Sequence, residues 1–197
     1  MTNPKPISII QNTDCVEAMK QYPDNFFDLA VCDPPYGISI GANKNFGKRK
    51  KTQSFTNYKK SDWDNAIPEK SYFDEVFRVS KNQIFWGGNY FTEFLQPTNA
   101  WIIWDKKMSK QFSFTFSTAE LAWTSFLHQI KTVTVSKGVM QNCISSNAQK
   151  AIDNENRKIH PTQKPIQLYE WILENYAKEG DKILDTHLGS GSSRIAA

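Results

Sequence analysis

Two adjacent prolines, Pro34 and Pro35, follow directly on the apolar run Asp28 to Cys32 (DLAVC). Proline lacks the N–H that a central β-ladder needs, so a strand over 28–32 has to stop there. The residues before it predict what that strand belongs to. Ile7 to Ile10 is a short apolar run, read as a buried strand. Asp14 stands at an N-cap position with Glu17 three residues on, a capping-box start. Val16, Ala18 and Met19 follow in a short helix that ends before Pro23. Strand, helix and strand at this spacing predict a β-α-β unit with parallel strands.

The rest of the chain keeps to the same alternation. Tyr72, Phe73, Val76 and Phe77 fall on one face of a helix predicted from about Glu69 to Val79. Strands are predicted at Gln83 to Trp86 (ended by Gly87-Gly88), Trp101 to Trp104, Glu120 to Leu127 and Lys131 to Val135. Trp86, Trp101, Trp104 and Trp123 lie in these strands and read as core or pocket-wall residues. Residues 136–158 are polar and weakly patterned, a loop or small recognition element. An amphipathic helix runs from Pro165 to Gly180, a good C-cap residue. A strand at Lys182 to Leu184, a glycine-containing turn and a helix start at about Ser192 close the sequence. Such a start normally leads to another parallel strand, so the sheet is expected to be incomplete at Ala197.

Composition narrows the classes. No apolar run reaches the roughly 18 residues of a membrane span, and MTNPKPISII lacks the apolar core and cleavage site of a secretion signal. Cys15, Cys32 and Cys143 are widely spaced and form no CxxC pair. A reducing, cytoplasmic setting follows, without a zinc ribbon or disulfide framework. His128, His160 and His187 have no metal-ligand spacing. The 24 Lys+Arg and 20 Asp+Glu give a net +4, but Lys44 to Lys60 holds seven basic residues and no acidic one. That segment is +7, which leaves −3 for everything else. Phe46, Phe55 and Tyr58 are interleaved with it. Such a mobile loop is either a solvated basic surface or one that neutralises phosphates and stacks on bases.

Two turns carry chemistry. Asp33-Pro34-Pro35-Tyr36 follows the carboxyl end of a strand, where open α/β sheets bind ligands. It offers carbonyl acceptors, a carboxylate and an aromatic face on a rigid backbone. That set suits a planar group with an exocyclic amine: the carboxylate and a carbonyl accept its two N–H bonds and Tyr36 stacks on the ring. A Pro-Pro turn with Asp33 capping and Tyr36 packing is the purely structural alternative. The second turn, Leu184 to Ser193 (LDTHLGSGSS), ends a strand in Asp185 and leads through Gly-x-Gly into a helix. Glycine allows close backbone approach to a ligand, and a helix start offers free N–H groups. It lacks the third glycine of the dinucleotide fingerprint, so a plain strand-to-helix turn is the alternative.

Together the two turns resemble the S-adenosylmethionine-dependent amino-methylating DNA methyltransferases, most closely the adenine N6 type. VCDPPYG at 31–37 is similar to that family's catalytic motif. LDTHLGSGSS at 184–193 is similar to its methionine-binding motif, usually Asp-Pro-Phe-x-Gly-Ser-Gly, with Thr186 and His187 departing from Pro-Phe. HPTQKP at 160–165 resembles its cofactor-pocket segment, and TDCVEAMKQYPDNFFDLAVCDPPYG its lead-in to the catalytic turn. The catalytic motif comes first, the permuted arrangement called the beta class.

The resemblance implies an α/β, Rossmann-like S-adenosylmethionine methyltransferase sheet, mostly parallel, in one domain over 1–197. Asp33, Pro34, Pro35 and Tyr36 would bind and orient a flipped-out base. Asp185, Gly189, Ser190 and Gly191 would surround the cofactor's methionine part, Lys164 and Pro165 would flank it, and Asp14 would face its adenine. Lys48, Arg49, Lys50 and Lys51 would contact double-stranded DNA, and residues 128–158 are the candidate for sequence reading. Direct transfer to an exocyclic amine is implied; carbon methylation needs a Pro-Cys pair, and no cysteine here follows a proline. Adenine N6 is the implied target, with cytosine N4 as the nearest alternative; RNA or a protein glutamine is more distant. A catalytically inactive DNA-binding remnant is the competing class, since the family's following strand, with its acidic residue for the cofactor ribose, does not occur by Ala197. A homodimer and a cognate restriction enzyme are the further partners the resemblance raises.

Overall fold

The computed structural model describes residues 7–39, 62–106, 117–135 and 162–197. The basic segment with Lys48, Arg49, Lys50 and Lys51, together with His160 and residues 136–158, lies outside them. Among the described residues the elements are α1 (Cys15–Met19), β1 (Leu29–Cys32), α2 (Lys70–Val79), β2 (Gln83–Trp86), β3 (Trp101–Asp105), β4 (Ala119–Thr124), β5 (Lys131–Thr134), α3 (Ile166–Tyr176), β6 (Ile183–Leu184) and α4 (Ser192–Ala196). The six strands form one sheet in the order β5-β3-β4-β2-β1-β6. Three pairings are parallel, β1–β2, β1–β6 and β3–β5; β4 runs antiparallel to β2 and β3. No helix among the described residues is long and apolar enough to cross a membrane.

The period-2 alternation of strands sorts their side chains onto two faces. Ala30, Cys32, Phe85 and Trp123 face the side covered by α1 and α2, with Met19, Tyr72, Phe73, Val76 and Val79. Leu29, Val31, Ile84, Trp86, Ile102, Trp104 and Ala122 face the side covered by α3, with Leu168, Tyr169 and Ile172. Both faces of the central strands are therefore buried, which explains why DLAVC and QIFW read as continuous apolar runs.

Local chemistry fixes the ends. Asp14 Oδ1 accepts the N–H groups of Val16 and Glu17 at 2.9 and 3.1 Å, the predicted N-cap. Glu17 does not complete the capping box; its carboxylate pairs with Lys20 at 2.6 Å. Arg78 at the end of α2 donates to the carbonyls of Met19 and Tyr22 and pairs with Glu75 and Asp24, tying α1 to α2.

Three expectations fail. Ile7 to Ile10 forms no strand, and Ile7 is 91% exposed. Apolar composition alone does not make a strand; it needs a ladder partner, and no described strand lies beside these residues. The parallel partners of β1 are instead β2 and β6, so residues 7–36 do not make a closed β-α-β unit. The strand predicted to Leu127 stops at Thr124. Ser125 Oγ there takes the N–H of Gln83 at 2.8 Å, and Leu127 is 100% exposed. α3 stops at Tyr176 rather than Gly180. Gly180, at φ +90°, serves the turn into β6, where the Lys178 N–H meets Asp181 Oδ2 at 2.8 Å.

The shortest pairing matters most for position. β6 meets β1 over only two residue pairs, Leu29 with Ile183 and Ala30 with Leu184. Asp28 reinforces it. Its N–H donates to the Lys182 carbonyl, its Oδ2 accepts the Lys182 N–H at 2.9 Å, and its Oδ1 meets Lys81 Nζ at 2.6 Å. Lys81 first, and then the Lys182 N–H, hold the Asp28 carboxyl below its ordinary value. A depressed folded-state value stabilises above the unfolded carboxylate pKa and is lost as pH falls through the folded one. Asp28→Ala is therefore expected to speed amide exchange at Lys182 by about tenfold at pH 7, read by hydrogen–deuterium exchange, and much less at pH 3. Unchanged exchange at Lys182 would show that Asp28 does not secure β6.

Candidate active site

Because β1 and β6 are parallel neighbours, the turns that follow them leave the sheet side by side. β2 and β3 end at the same edge, and the antiparallel β4 begins there. Asp33, Asp185, Gly87, Lys106 and Glu120 therefore gather at one rim.

The first turn is held from below. Asp64, 2% exposed, accepts the N–H groups of Tyr36 and Gly37 on one oxygen at 2.7 and 3.0 Å. This supplies acceptors to a turn whose prolines have removed two donors and left the next two N–H groups unpaired by any strand. The Tyr36 hydroxyl then donates to Asp33 Oδ1 at 2.6 Å. The Tyr36 ring stacks on Tyr90 at 5.1 Å between centroids and 15° between planes. Gly87 makes this fit: its φ is +71°, and a Cβ there would lie 2.3 Å from Tyr36 Cε1. Burial first, and then the negative charge of Asp33, push the Tyr36 phenol well above its ordinary value, so it stays a donor.

Lys164 is expected to flank a cofactor. The structure places its ammonium on Asp33 Oδ1 at 2.5 Å and 3.1 Å from the Tyr36 hydroxyl. The same ammonium lies 3.3 Å from Glu120 Oε2, and Glu120 Oε1 meets Lys106 Nζ at 2.6 Å. Asp33, Lys164, Glu120 and Lys106 thus form a chain of alternating charge. The side chains of the two lysines are 3% and 5% exposed. Burial pulls the Lys164 ammonium down, but Asp33 and Glu120 outweigh it and hold it above its ordinary value.

The second turn is built by Asp185. Its Oδ1 accepts the His187 N–H at 2.9 Å, and its Oδ2 accepts the Ser193 hydroxyl. Gly191, at φ +75°, is the N-cap residue of α4, and a Cβ there would meet nothing within 4 Å. The left-handed backbone, not crowding, demands glycine there, and open space lies beside it. Ser192 Oγ donates to the Lys164 carbonyl at 2.8 Å and meets Ser190 Oγ at 3.0 Å, so Lys164 touches both turns. His187 Nδ1 meets Thr186 Oγ1 at 2.9 Å, and its ring packs edgewise on Tyr72. Burial lowers its pKa, so the ring is neutral at pH 7 and stands as an uncharged aromatic. Cys32, buried beneath the site, is pushed up to about 12 by burial and stays a thiol.

The sequence candidates Asp33, Pro34, Pro35, Tyr36, Lys164, Pro165, Asp185, Gly189, Ser190 and Gly191 come together at this rim. Asp14 caps α1 close enough for its charge to act on His187. Asp64, Tyr90, Lys106 and Glu120 also serve the site without any local sequence signal; Gly87 carries one, a Gly-Gly pair directly after a strand. Two open concavities, of about 390 and 330 Å³, lie elsewhere, beside Asp28 and beside Phe94. Neither is lined by Asp33 or Asp185.

The profile of the N6/N4-type DNA methylases matches residues 27–197. The chain belongs to that DNA methylase family. It is 25% identical over 213 residues to the type II methyltransferase M.HpaI of Haemophilus parainfluenzae, covering 91% of this chain and 63% of that protein's length. Two solved structures share the fold. One is the complex of M1.HpyAVI with S-adenosylmethionine, at a TM-score of 0.51 and 15% identity over 93% of this chain and 84% of that one. The other is the cytosine-N4-specific PvuII DNA methyltransferase, at a TM-score of 0.54 and 12% identity over 94% and 76%. The methylase matches place the expected α/β methyltransferase sheet in its family.

Partial burial raises the Asp185 carboxyl despite the Ser193 and His187 hydrogen bonds. A raised folded-state value means stability present below the unfolded pKa and lost as pH rises through the folded one. Asp185→Asn is therefore expected to raise the melting midpoint at pH 7 by about 2 °C, with no gain near pH 3. A lower midpoint at pH 7 would show that the carboxylate is needed structurally.

Proposed function

We propose that this chain transfers a methyl group from S-adenosylmethionine to the N6 amine of adenine in double-stranded DNA. The observation that carries the reading is the adjacency of the Asp33 carboxylate and the Asp185–Gly191 turn on neighbouring parallel strands. The amine acceptor and the cofactor loop then belong to one site. The residues fit the group. Asp185 and the turn through Gly189, Ser190 and Gly191 would hold the methionine part, and the open space at Gly191 leaves it room. Neutral His187 would lie near a sulfonium without repelling it. When bound, S-adenosylmethionine supplies a methyl group on a positively charged sulfur.

The chain's own residues do the rest. The Asp33 carboxylate and the Pro34 carbonyl each accept one amine N–H, which turns the nitrogen lone pair toward the donor. Positive charge develops on that nitrogen as the N–C bond forms and the sulfur–methyl bond breaks to leave a neutral thioether, and a fixed carboxylate stabilises that charge without reorganising. The Asp33 carboxylate, which already accepts one amine N–H, would take the surplus proton. An amine inside a duplex is out of reach, so the base has to be extruded, at a cost of a few kcal/mol. The basic residues Lys48, Arg49, Lys50 and Lys51 are the proposed phosphate contacts that offset this. The resemblance to the family's catalytic motif implies adenine over cytosine N4, since Asp33 rather than a serine precedes Pro-Pro-Tyr.

The test is tritium transfer from labelled S-adenosylmethionine to unmethylated DNA, with nucleoside analysis of the product. N6-methyladenine is expected; N4-methylcytosine would reassign the target. Asp33→Ala is expected to cut transfer by about a thousandfold while cofactor binding by calorimetry stays within a few-fold. Neither cofactor binding nor transfer by the folded, unmutated chain would favour a DNA-binding remnant.

A further inference from the structure

The Lys164 ammonium poses a problem for the reaction just proposed. It sits 2.5 Å from the oxygen of Asp33 that the Tyr36 hydroxyl also occupies. A cation there neutralises the carboxylate that has to accept the amine. It would also oppose the positive charge growing on the amine nitrogen, because like charges at short range repel strongly where water is scarce. The ammonium therefore has to leave Asp33 when the amine arrives, and being 3% exposed it cannot leave into solvent.

A second acceptor is already in place. Glu120 Oε2 is 3.3 Å from the same nitrogen. Lys106 holds the other oxygen of Glu120 at 2.6 Å and, 5% exposed, is itself confined. Glu120 is thus anchored from behind and does not follow Lys164 toward Asp33. Trp86 and Trp104 wall the space, with Lys164 5.3 Å from the first ring and Lys106 5.3 Å from the second. We propose that Glu120 is a positioning residue for methyl transfer: it takes the Lys164 ammonium as the amine engages Asp33, and so restores the full charge of the acceptor. The proposal rests on Asp33 being that acceptor. No bond breaks and no proton moves; a cation passes between two carboxylates. Since the Lys164 carbonyl also receives Ser192 Oγ, its backbone stays fixed while the side chain shifts.

Glu120→Gln keeps the shape and removes the charge. Two readouts test it on the full chain. The first needs no activity: competitive acetylation with acetic anhydride at pH 8, with Lys164 compared to the exposed Lys70 and Lys81. Loss of one of two counter-ions is expected to raise relative Lys164 labelling about fivefold. The second is steady-state transfer: kcat is expected to fall about thirtyfold while KM for S-adenosylmethionine stays within twofold. Glu120→Asp should recover part of kcat, which a merely structural role would not require. Wild-type kcat in Glu120→Gln, or unchanged Lys164 labelling, would overturn the proposal. Transfer that Asp33→Ala leaves intact would strike the Asp33 reading instead.

Discussion

Two residue pairs between β1 and β6 carry the geometry of the whole site. A parallel pairing sends both chains out at the same edge, so the Asp33 turn and the Asp185 turn emerge as neighbours without any loop having to reach across. The pairing is short, and Asp28 extends its hydrogen bonding by one residue on the amino side while holding Lys81 at the foot of β2. The amino ends of the central strands are thereby fixed, and the carboxyl ends are left to present chemistry.

At that edge the dominant physical fact is buried charge. Two lysines and two carboxylates alternate from β1 to the end of β3, through the lead-in to α3 and the start of β4. Taking such groups out of water is costly, and only close pairing offsets it. Substituting apolar side chains would be the cheaper way to fill the same space. The chain keeps the charges where the proposed reaction needs a carboxylate that is firmly held but can be released from its counter-ion. The aromatic walls around them, Tyr36, Trp86 and Trp104, keep water out and strengthen every interaction inside.

The strongly patterned parts of the fold were legible in the sequence. β2 begins and ends where predicted, α2 and β5 agree to a residue at their ends, and Asp14 caps α1 as predicted, although Glu17 pairs with Lys20 and does not complete the box. The failures share a cause. Ile7 to Ile10 looks like a strand because its residues are apolar, but ladder hydrogen bonds come from another segment. Leu127 looks like strand because it continues an apolar run, but the Ser125 hydroxyl takes the N–H of Gln83 and ends the pairing at Thr124. Gly180 looks like a helix cap, but α3 ends four residues earlier, at Tyr176, and the glycine serves the next turn. In each case local composition was compatible with two outcomes, and a distant or neighbouring polar group chose between them.

By itself the sequence determined the chemistry of the two turns. Two prolines must end a strand and leave carbonyls without donors, and a Gly-Ser-Gly turn before a helix must leave its backbone approachable; both follow from covalent structure within a few residues. Only the tertiary structure decided what surrounds them. Asp64 lies 28 residues from Tyr36, Lys164 lies 128 residues from it, and Glu120 and Lys106 come from two other strands. A carboxylate's worth depends on burial and on which cation stands within a few ångströms. Those quantities have no local signature, and the order of strands in the sheet sets them.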